Sequence, residues 1–309
     1  MAEQSLSPPV TPAKPPPKPF LAWYWRVLRI VILSYLGILV FLYFAQRKLI
    51  FVGMNTQGHA PVAPRPGIEL LPLTTAAREK VFAAFGPALM PDDKADPQAA
   101  QRPTIIFCYG NAMCLRDAMQ ELNALRRLGA NVIIPEYVGY GISSGEASES
   151  GCYAAADAAY EHLLTRKDID PSKIISCGWS LGAAVAIDLA SRKPVAALAT
   201  FSAFSSMAAE GNATYPFLPT LVVSMILRHR FDSISKIGSV KCPILIGHGK
   251  QDEMIPYAMA DALAAAAKSS VTRLAIEGAN HNDVFGAGLS QVEPAMHMLL
   301  EKAALAPNK

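Results

Sequence analysis

Five residues, Gly-Trp-Ser-Leu-Gly at positions 178–182, constrain the fold of this chain more than any other stretch. An apolar run at 174–177 precedes them, and small and apolar residues at 183–190 follow with helical spacing. Glycines on both sides let a strand and a helix approach closely, so the turn between them presents the Ser180 hydroxyl at the end of the strand. The pattern predicts a nucleophile elbow with Ser180 as the attacking group.

A second match to Gly-x-Ser-x-Gly lies at positions 141–145, around Ser143. Polar and turn-forming residues follow it at 146–151, where an elbow would need an apolar helix. We therefore expect Ser143 to lie in a loop and Ser180 to be the nucleophile. The alternative for Ser180 is the ordinary role of serine at the start of a helix, an N-cap.

Strand-like and helix-like segments alternate along the chain. Short apolar runs predict strands, and longer segments with apolar residues every three or four positions predict helices. The predicted strands are 68–73, 81–85, 104–108, 131–135, 174–177, 195–201, 244–247 and 273–277. The predicted helices are 117–128, 153–164, 181–191, 257–267 and 291–304. This alternation predicts a mostly parallel sheet with helices on both faces.

Residues 202–240 interrupt the alternation. An insertion at this point would lie over the carboxyl ends of the strands, where ligands bind in open α/β folds. We expect a small cap there, and an ordinary pair of surface helices is the alternative.

A serine nucleophile needs a base, and the base needs an acid that orients it. His281 lies four residues after one predicted strand, and Asp252 lies five residues after another. Because the carboxyl ends of parallel strands meet at one edge of a sheet, both side chains should converge on Ser180. We predict that His281 is the general base and Asp252 the orienting acid. Asp232, in the cap, is the alternative acid.

The oxyanion that forms during attack needs two N–H donors. Leu181 follows the nucleophile directly, and its backbone N–H is the first predicted donor. The second should come from the loop after the strand at 104–108, where Gly110 permits a tight turn and the backbone N–H of Asn111 is the favoured donor. The alternative is that Asn111 is an ordinary turn residue.

Together these residues resemble the membrane-anchored α/β-hydrolase-domain serine hydrolases, a group of the α/β-hydrolase superfamily. The motifs of that group are His-Gly-Asn, Asp-Tyr-Arg-Gly-Tyr-Gly-x-Ser-x-Gly, Gly-x-Ser-Leu-Gly-Gly, His-Gly-x-x-Asp-x-x-x-Pro and His-Asn-Asp. The matching stretches here are 109–111, 136–145, 178–183, 248–256 and 281–283, within a likeness that covers roughly residues 46–300. The chain departs from the motifs at Tyr109 (for His), Glu136 (for Asp), Val138 (for Arg) and Ala183 (for Gly).

The resemblance implies the α/β-hydrolase fold, a mostly parallel, doubly covered sheet with a small cap insertion and an N-terminal transmembrane helix. It also implies hydrolysis of ester or thioester bonds in acyl substrates such as lipid esters, through Ser180, Asp252 and His281. We expect no cofactor and no metal. A peptidase or amidase would use the same three residues, and a catalytically silent, membrane-anchored binding protein is the alternative from another class.

Positions 27–45 form an apolar segment in which only Arg29 is charged. Nineteen helical residues come close to spanning the ~30 Å hydrocarbon core of a bilayer. Gln-Arg-Lys follows at 46–48, with no small-residue cleavage site, which favours an uncleaved anchor over a signal peptide. A buried core helix is the other alternative.

The sequence therefore divides into three parts. We predict a disordered Pro-rich tail at 1–22, a transmembrane anchor with its flanks at 23–48, and an α/β-hydrolase domain at 49–305 with a cap at about 202–240. The Pro/Gly-rich stretch 46–66 reads as a linker.

Charge is unevenly distributed along the chain. Residues 1–49 carry a net charge of +5, whereas residues 50–309 carry −2, so we expect no nucleic-acid partner. Four basic residues, Lys14, Lys18, Arg26 and Arg29, lie before the predicted span or at its start, and two follow it. This imbalance favours a cytoplasmic N-terminus and an extracytoplasmic catalytic domain. The five cysteines form an odd set without a Cys-x-x-Cys motif, which argues against a disulfide framework and a zinc site.

Overall fold

The computed structural model describes residues 19–59, 67–215 and 219–305. It consists of two units, Met1–Phe44 and Ala45–Lys309. The strands are β1 Glu69–Thr74, β2 Lys80–Gly86, β3 Thr104–Cys108, β4 Asn131–Pro135, β5 Ile174–Trp179, β6 Ala197–Phe201, β7 Ile244–Gly249 and β8 Val271–Ile276. The α-helices are α1 Pro19–Ile50, α2 Met119–Arg127, α3 Glu149–Thr165, α4 Leu181–Arg192, α5 Met207–Thr214, α6 Thr220–Ile226, α7 Ser233–Ile237, α8 Ala258–Ala266 and α9 Leu289–Ala304.

The eight strands form one sheet in the order β1-β2-β4-β3-β5-β6-β7-β8. β2 pairs antiparallel with both β1 and β4, and every pair from β4 through to β8 is parallel. The central strands β3, β4 and β6 are buried at every residue, which is the pattern of strands covered on both faces. The prediction of a mostly parallel sheet is confirmed.

Helices cover both faces of the sheet. Ile244 and Ile246 of β7 belong to an apolar cluster that contains Leu263 of α8. Leu245, between them, belongs to a second cluster that contains Met296 of α9. Successive residues of a strand point to opposite faces, and both helices contact β7, so α8 and α9 cover opposite sides.

Helix α3 begins earlier than the sequence indicates. The polar stretch 146–151 reads as a turn, yet the helix starts at Glu149. The Ser148 hydroxyl accepts a hydrogen bond from the backbone N–H of Gly151 and caps the helix. The prediction of a turn is therefore wrong for the last three residues of that stretch.

Helix α1 extends beyond the predicted apolar segment at both ends. Its stretch Ala22–Ile50 has 29 residues with a mean hydropathy of 2.4 in its most apolar window, so it is long and apolar enough to cross a membrane. The helix begins at Pro19, inside the predicted tail. Proline suits the first turn of a helix, where its missing N–H has no intrahelical partner. The rest of that tail, residues 1–18, lies outside the described residues.

The predicted linker at 46–66 is corrected in its first part. Phe51 is fully buried, and a 3₁₀ helix follows at Val52–Thr56. The Gln46 side chain donates to the carbonyl of Ile226 and accepts from the N–H of Arg228. Residues 46–57 therefore pack as part of the second unit, through contacts with residues far along the chain. Residues 60–66 lie outside the described residues.

Two glycines bring α4 against the strands beneath it. A Cβ atom at Gly178 would overlap the carbonyl group of Gly182. A Cβ atom at Gly182 would overlap the backbone carbonyls of Cys108 and Tyr109 at the end of β3. Only residues without side chains permit this approach, which places the start of α4 beside the loop after β3.

We expect Gly182→Ala to lower the free energy of unfolding by about 1–3 kcal/mol, because the added methyl group must displace backbone atoms. Gly211→Ala in α5 is the matched control. Its Cβ would lie 3.6 Å from the Val223 side chain, an ordinary contact, and alanine is the better helix former. Thermal unfolding of the full-length protein in detergent gives both values, and equal melting temperatures for the two variants would contradict this account.

Candidate active site

Ser180 occupies a strained turn between β5 and α4. Its backbone angles are φ 55° and ψ −120°, outside the regions that a non-glycine residue usually adopts. The turn is held by a 2.9 Å hydrogen bond from the Ser180 N–H to the carbonyl of Phe201, the last residue of β6. The Ser180 side chain makes no capping hydrogen bond to α4, so its hydroxyl does not act as an N-cap.

The hydroxyl of Ser180 instead meets the predicted base. His281 Nε2 lies 2.9 Å from Ser180 Oγ, and His281 Nδ1 lies 2.8 Å from Asp252 Oδ2. With Nδ1–H donating to the carboxylate, the lone pair of Nε2 is free to accept the serine proton. The structure thus brings the three predicted residues together in one hydrogen-bonded chain, and their catalytic roles stay a prediction.

Asp252 is enclosed by hydrogen-bond donors. Its Oδ1 accepts from the backbone N–H groups of Met254 and Ile255, at 3.0 and 2.8 Å. Burial alone would raise its pKa, but the hydrogen bonds from His248, His281 and the Ile255 N–H lower the pKa well below the usual range. The carboxylate therefore stays ionised beside the His281 ring.

His248 is a contact of the acid that the sequence analysis did not single out. Its fully buried side chain places Nε2 3.2 Å from Asp252 Oδ2 and 2.9 Å from the Ile255 carbonyl. A histidine four residues before the acid, in the stretch that resembles a family motif, was the available signal. We assign it a positioning role, because it contacts Asp252 and not Ser180.

Asp232, the alternative acid, and Ser143, the serine of the second Gly-x-Ser-x-Gly match, have other contacts. Asp232 accepts from the Ser235 N–H and caps α7. Ser143 lies in the loop after β4, where its buried hydroxyl bonds the backbone of Phe82 and Glu136. The hydrogen-bond partners of His281 among the described residues are Asp252 and Ser180, not Asp232 or Ser143.

The two predicted oxyanion donors lie on neighbouring elements. Leu181 is the first residue of α4, and the first N–H groups of a helix have no intrahelical partner. The loop after β3 reaches the same place, since a Cβ at Gly110 would overlap the Trp179 ring. The assignment of the Leu181 and Asn111 N–H groups as donors stays a prediction.

The side chain of Asn111 fixes this loop. Its Oδ1 accepts from the N–H groups of Gly53 and Ala112, at 3.2 and 2.9 Å, and from the Tyr140 hydroxyl at 3.1 Å. Its Nδ2 donates to the carbonyl of Ile50. Asn111 therefore fastens the loop to the last residue of α1 and to the 3₁₀ helix that follows it.

Two of the departures from the family motifs meet in space. The Tyr109 hydroxyl donates to Glu136 Oε1 at 2.7 Å, and the same oxygen accepts from the Leu115 N–H at 2.7 Å. The Tyr137 hydroxyl donates to the Tyr109 carbonyl at 2.8 Å. Burial raises the pKa of the Glu136 carboxyl. Tyrosine and glutamate thus hold the loop after β3 against the loop after β4.

Trp179 also contributes to the site. Its indole N–H donates to the carbonyl of His281 at 3.1 Å, and its ring lies 5.6 Å from the imidazole. No sequence signal singles out this residue, since any residue can occupy the second position of Gly-x-Ser-x-Gly. It ties the loop that carries His281 to the elbow that carries Ser180.

A surface groove of about 700 Å³ lies elsewhere on the molecule. Pro171, Val195 and Pro243, which line it, precede or begin β5, β6 and β7. The groove therefore lies at the amino ends of these parallel strands, opposite to the edge where Ser180 lies. The groove is therefore separate from the site around Ser180.

Comparison with known proteins agrees with this architecture. A family model described as alpha/beta hydrolase fold matches residues 103–226. An uncharacterized protein of Mycobacterium tuberculosis is 34% identical over 262 residues, which cover 83% of this chain and 88% of the relative. The chain belongs to the α/β-hydrolase family. This hydrolase is also 35% identical over 190 residues to human alpha/beta hydrolase domain-containing protein 17C, covering 60% of this chain and 54% of the human protein.

Solved structures share the fold of this hydrolase. An esterase of Pyrococcus furiosus matches with a TM-score of 0.61 at 15% identity, over 80% of this chain and 96% of the esterase. A puromycin-hydrolyzing peptidase of Mycobacterium tuberculosis matches with a TM-score of 0.60 at 17% identity, over 79% of this chain and 42% of the peptidase. The predicted α/β-hydrolase fold is confirmed, and the apolar helix α1 is compatible with membrane anchoring.

We expect Asp252→Asn to lower kcat by about 10⁴-fold on an activated ester, because an amide in this position favours the wrong tautomer of His281. Asp232→Asn is the matched control, and it should have little effect since Asp232 only caps α7. Steady-state hydrolysis of p-nitrophenyl butanoate measures both. A small loss of kcat in Asp252→Asn together with a large loss in Asp232→Asn would show that the acid is misassigned.

Proposed function

We propose that this hydrolase cleaves ester or thioester bonds of acyl substrates through an acyl-enzyme formed on Ser180. The observation that carries the proposal is the hydrogen-bonded chain from Ser180 through His281 to Asp252, which begins at a strained strand–turn–helix. A structural serine needs neither a strained backbone nor a buried histidine–carboxylate pair at its hydroxyl.

The geometry supports a two-stage reaction. His281 Nε2 takes the proton of Ser180 Oγ as that oxygen attacks the substrate carbonyl. The N–H groups of Leu181 and Asn111 would stabilise the oxyanion, and His281 then returns the proton to the leaving alcohol or thiol. Asp252, held ionised by its donors, supports the imidazolium in between. Water then attacks the acyl-enzyme with the same proton transfers through His281, and the carboxylic acid and free Ser180 are released.

Two features support lipid-like substrates. The second unit begins at Ala45, close to the end of a helix whose stretch Ala22–Ile50 is long and apolar enough to cross a membrane. The family resemblance implies lipid esters and acyl thioesters. Amide hydrolysis would use the same residues, so a panel of matched esters, thioesters and amides separates an esterase from a peptidase or amidase.

A fluorophosphonate probe should label Ser180 covalently. Ser180→Ala should abolish the labelling and lower kcat by about 10⁴- to 10⁶-fold, the loss typical of a triad member. Ser143→Ala is the control, and it should remain labelled because Ser143 is a buried loop residue. Labelling that persists in Ser180→Ala would refute the nucleophile, and labelling in neither protein would favour a silent binding protein.

We propose further that α1 anchors the protein in a membrane as a single pass. The basic residues around it support a cytoplasmic N-terminus and an extracytoplasmic catalytic unit. The partners are thus a bilayer at residues 27–45 and an acyl substrate, with no nucleic acid.

Full-length protein should remain in the membrane fraction after a carbonate wash, because a spanning helix is not released by changes in charge. A chain that begins at Ala45 should be released and active. A chain that begins at Phe51 loses the hydrogen bonds of Gln46 and the ion pair between Arg47 and Glu146, so it should melt at a lower temperature than the Ala45 chain. Release of the full-length protein by salt alone would contradict the anchor.

A further inference from the structure

Helix α6 of the cap has an inner face and an outer face. Val223 is buried on the inner face, beside α5, where a Cβ at Gly211 would lie 3.6 Å from its side chain. Leu221 and Met225, one helical turn apart, point to the opposite side and are 73% and 75% exposed. Among the described large apolar side chains of the second unit, only Leu305 at the end of α9 is more exposed. The outer face of α6 is therefore an exposed apolar surface.

The end of α6 is bonded to the stretch of chain that follows the predicted membrane span. Gln46 is the first residue after the span, and its buried side chain donates to the Ile226 carbonyl at 3.1 Å and accepts from the Arg228 N–H at 2.7 Å. The ring of Phe51 lies 4.8 Å from the His229 ring, edge to face. The outer face of α6 thus ends one residue before the carbonyl that Gln46 bonds.

These contacts keep the end of α6 close to the membrane that the span enters. Gln46 follows the predicted span directly in the sequence, so it lies at the surface of the bilayer when the span is inserted. The end of α6, which is bonded to Gln46, must then lie near that surface too. A contact between the outer face and the lipid is intramolecular in a protein that is already anchored, so a small apolar surface suffices for it.

The charges beside α6 suit an anionic lipid surface. Arg228 and Arg230, which follow the helix, are both exposed. The nearby carboxylate of Glu149 accepts from the backbone N–H groups of Arg230 and of the next residue, at 2.6 and 3.0 Å, and Glu146 forms an ion pair with Arg47. Basic residues beside an apolar face are attracted to anionic headgroups. Two copies of this chain that met through the same face would instead bring their arginines together, where they repel each other.

We propose that the outer face of α6 docks on the bilayer that α1 spans. Leu221 and Met225 enter the boundary between headgroups and acyl chains, as the apolar residues of interfacial helices do, and Arg228 and Arg230 lie beside anionic phospholipid headgroups. The cap is then a second membrane contact of the protein, in addition to the span. This inference rests on the proposed anchor and is independent of the proposed ester hydrolysis.

The test places a fluorescent dye on this face in the full-length protein. All five native cysteines are buried, so a maleimide dye labels an introduced cysteine selectively. The dye is attached to Met225→Cys, to Met298→Cys as a matched exposed methionine on α9, and to Phe41→Cys inside the predicted span. Each labelled protein is inserted, at one protein per disc, into nanodiscs of phosphatidylcholine and phosphatidylglycerol. The emission is compared with and without a lipid that carries a nitroxide quencher near the top of its acyl chain.

The nitroxide should remove about half or more of the emission from Met225→Cys and from Phe41→Cys, because an interfacial helix lies at the depth of the quencher. It should remove little from Met298→Cys. Adding Leu221→Glu should restore the emission from Met225→Cys, since it places a charge on the docking face, whereas Met298→Glu should not. In discs of phosphatidylcholine alone, the quenching should weaken for Met225→Cys and stay the same for Phe41→Cys.

Four results would overturn the proposal. Quenching of Phe41→Cys without quenching of Met225→Cys would reject the docking and leave the anchor standing, whereas quenching of neither would mean that the anchor fails first and the docking with it. Quenching of Met298→Cys as strong as that of Met225→Cys, or quenching of Met225→Cys that survives Leu221→Glu, would mean that the dye itself seeks the lipid. Quenching of Met225→Cys that does not depend on phosphatidylglycerol would reject the anionic headgroups.

Discussion

The site depends on the contact between the backbone of α4 and the backbones of β3 and β5. Gly178 and Gly182 allow it, since a side chain on either residue would overlap a carbonyl group. The contact forces the chain to turn within one residue, which explains why Ser180 adopts a positive φ. It also brings the first N–H groups of α4 against the loop that follows β3. The strained backbone at Ser180 and the nearness of the loop after β3, the predicted source of an oxyanion donor, are thus two results of one close approach.

The loop after β3 is held from the other side by polar contacts. Tyr109 bonds Glu136 in the loop after β4, and Asn111 bonds the backbone of Ile50 and Gly53. The Tyr109–Glu136 bond is buried, and a hydrogen bond that is shielded from water is stronger and its loss more costly. The shape of this loop therefore depends on the last residue of α1 and on the 3₁₀ helix that follows it. Asn111 and the backbone of Ile50 and Gly53, which are distant in sequence, thus share one hydrogen-bonded junction.

The sequence predicted those features that depend on local pattern. The apolar runs at β3 and β4 match the strands residue for residue, and the turn around Ser180 was evident from its glycines. Prediction from the sequence failed where the local structure depends on a contact between residues far apart along the chain. Residues 46–57 read as a linker because no local pattern reveals that Gln46 bonds Arg228. His248 was missed for the same reason, since burial beside Asp252 is a property of the tertiary structure.

The contacts of Asp252 show how the fold holds the predicted acid in place. Asp252 receives hydrogen bonds from two ring nitrogens and two backbone N–H groups, so its charge and its orientation are fixed. A carboxylate whose oxygens are satisfied needs no rearrangement to orient its neighbour, whereas the loss of one donor would leave a buried charge only partly compensated. The loop after β7 therefore sets the position of the His281 ring through a single carboxylate.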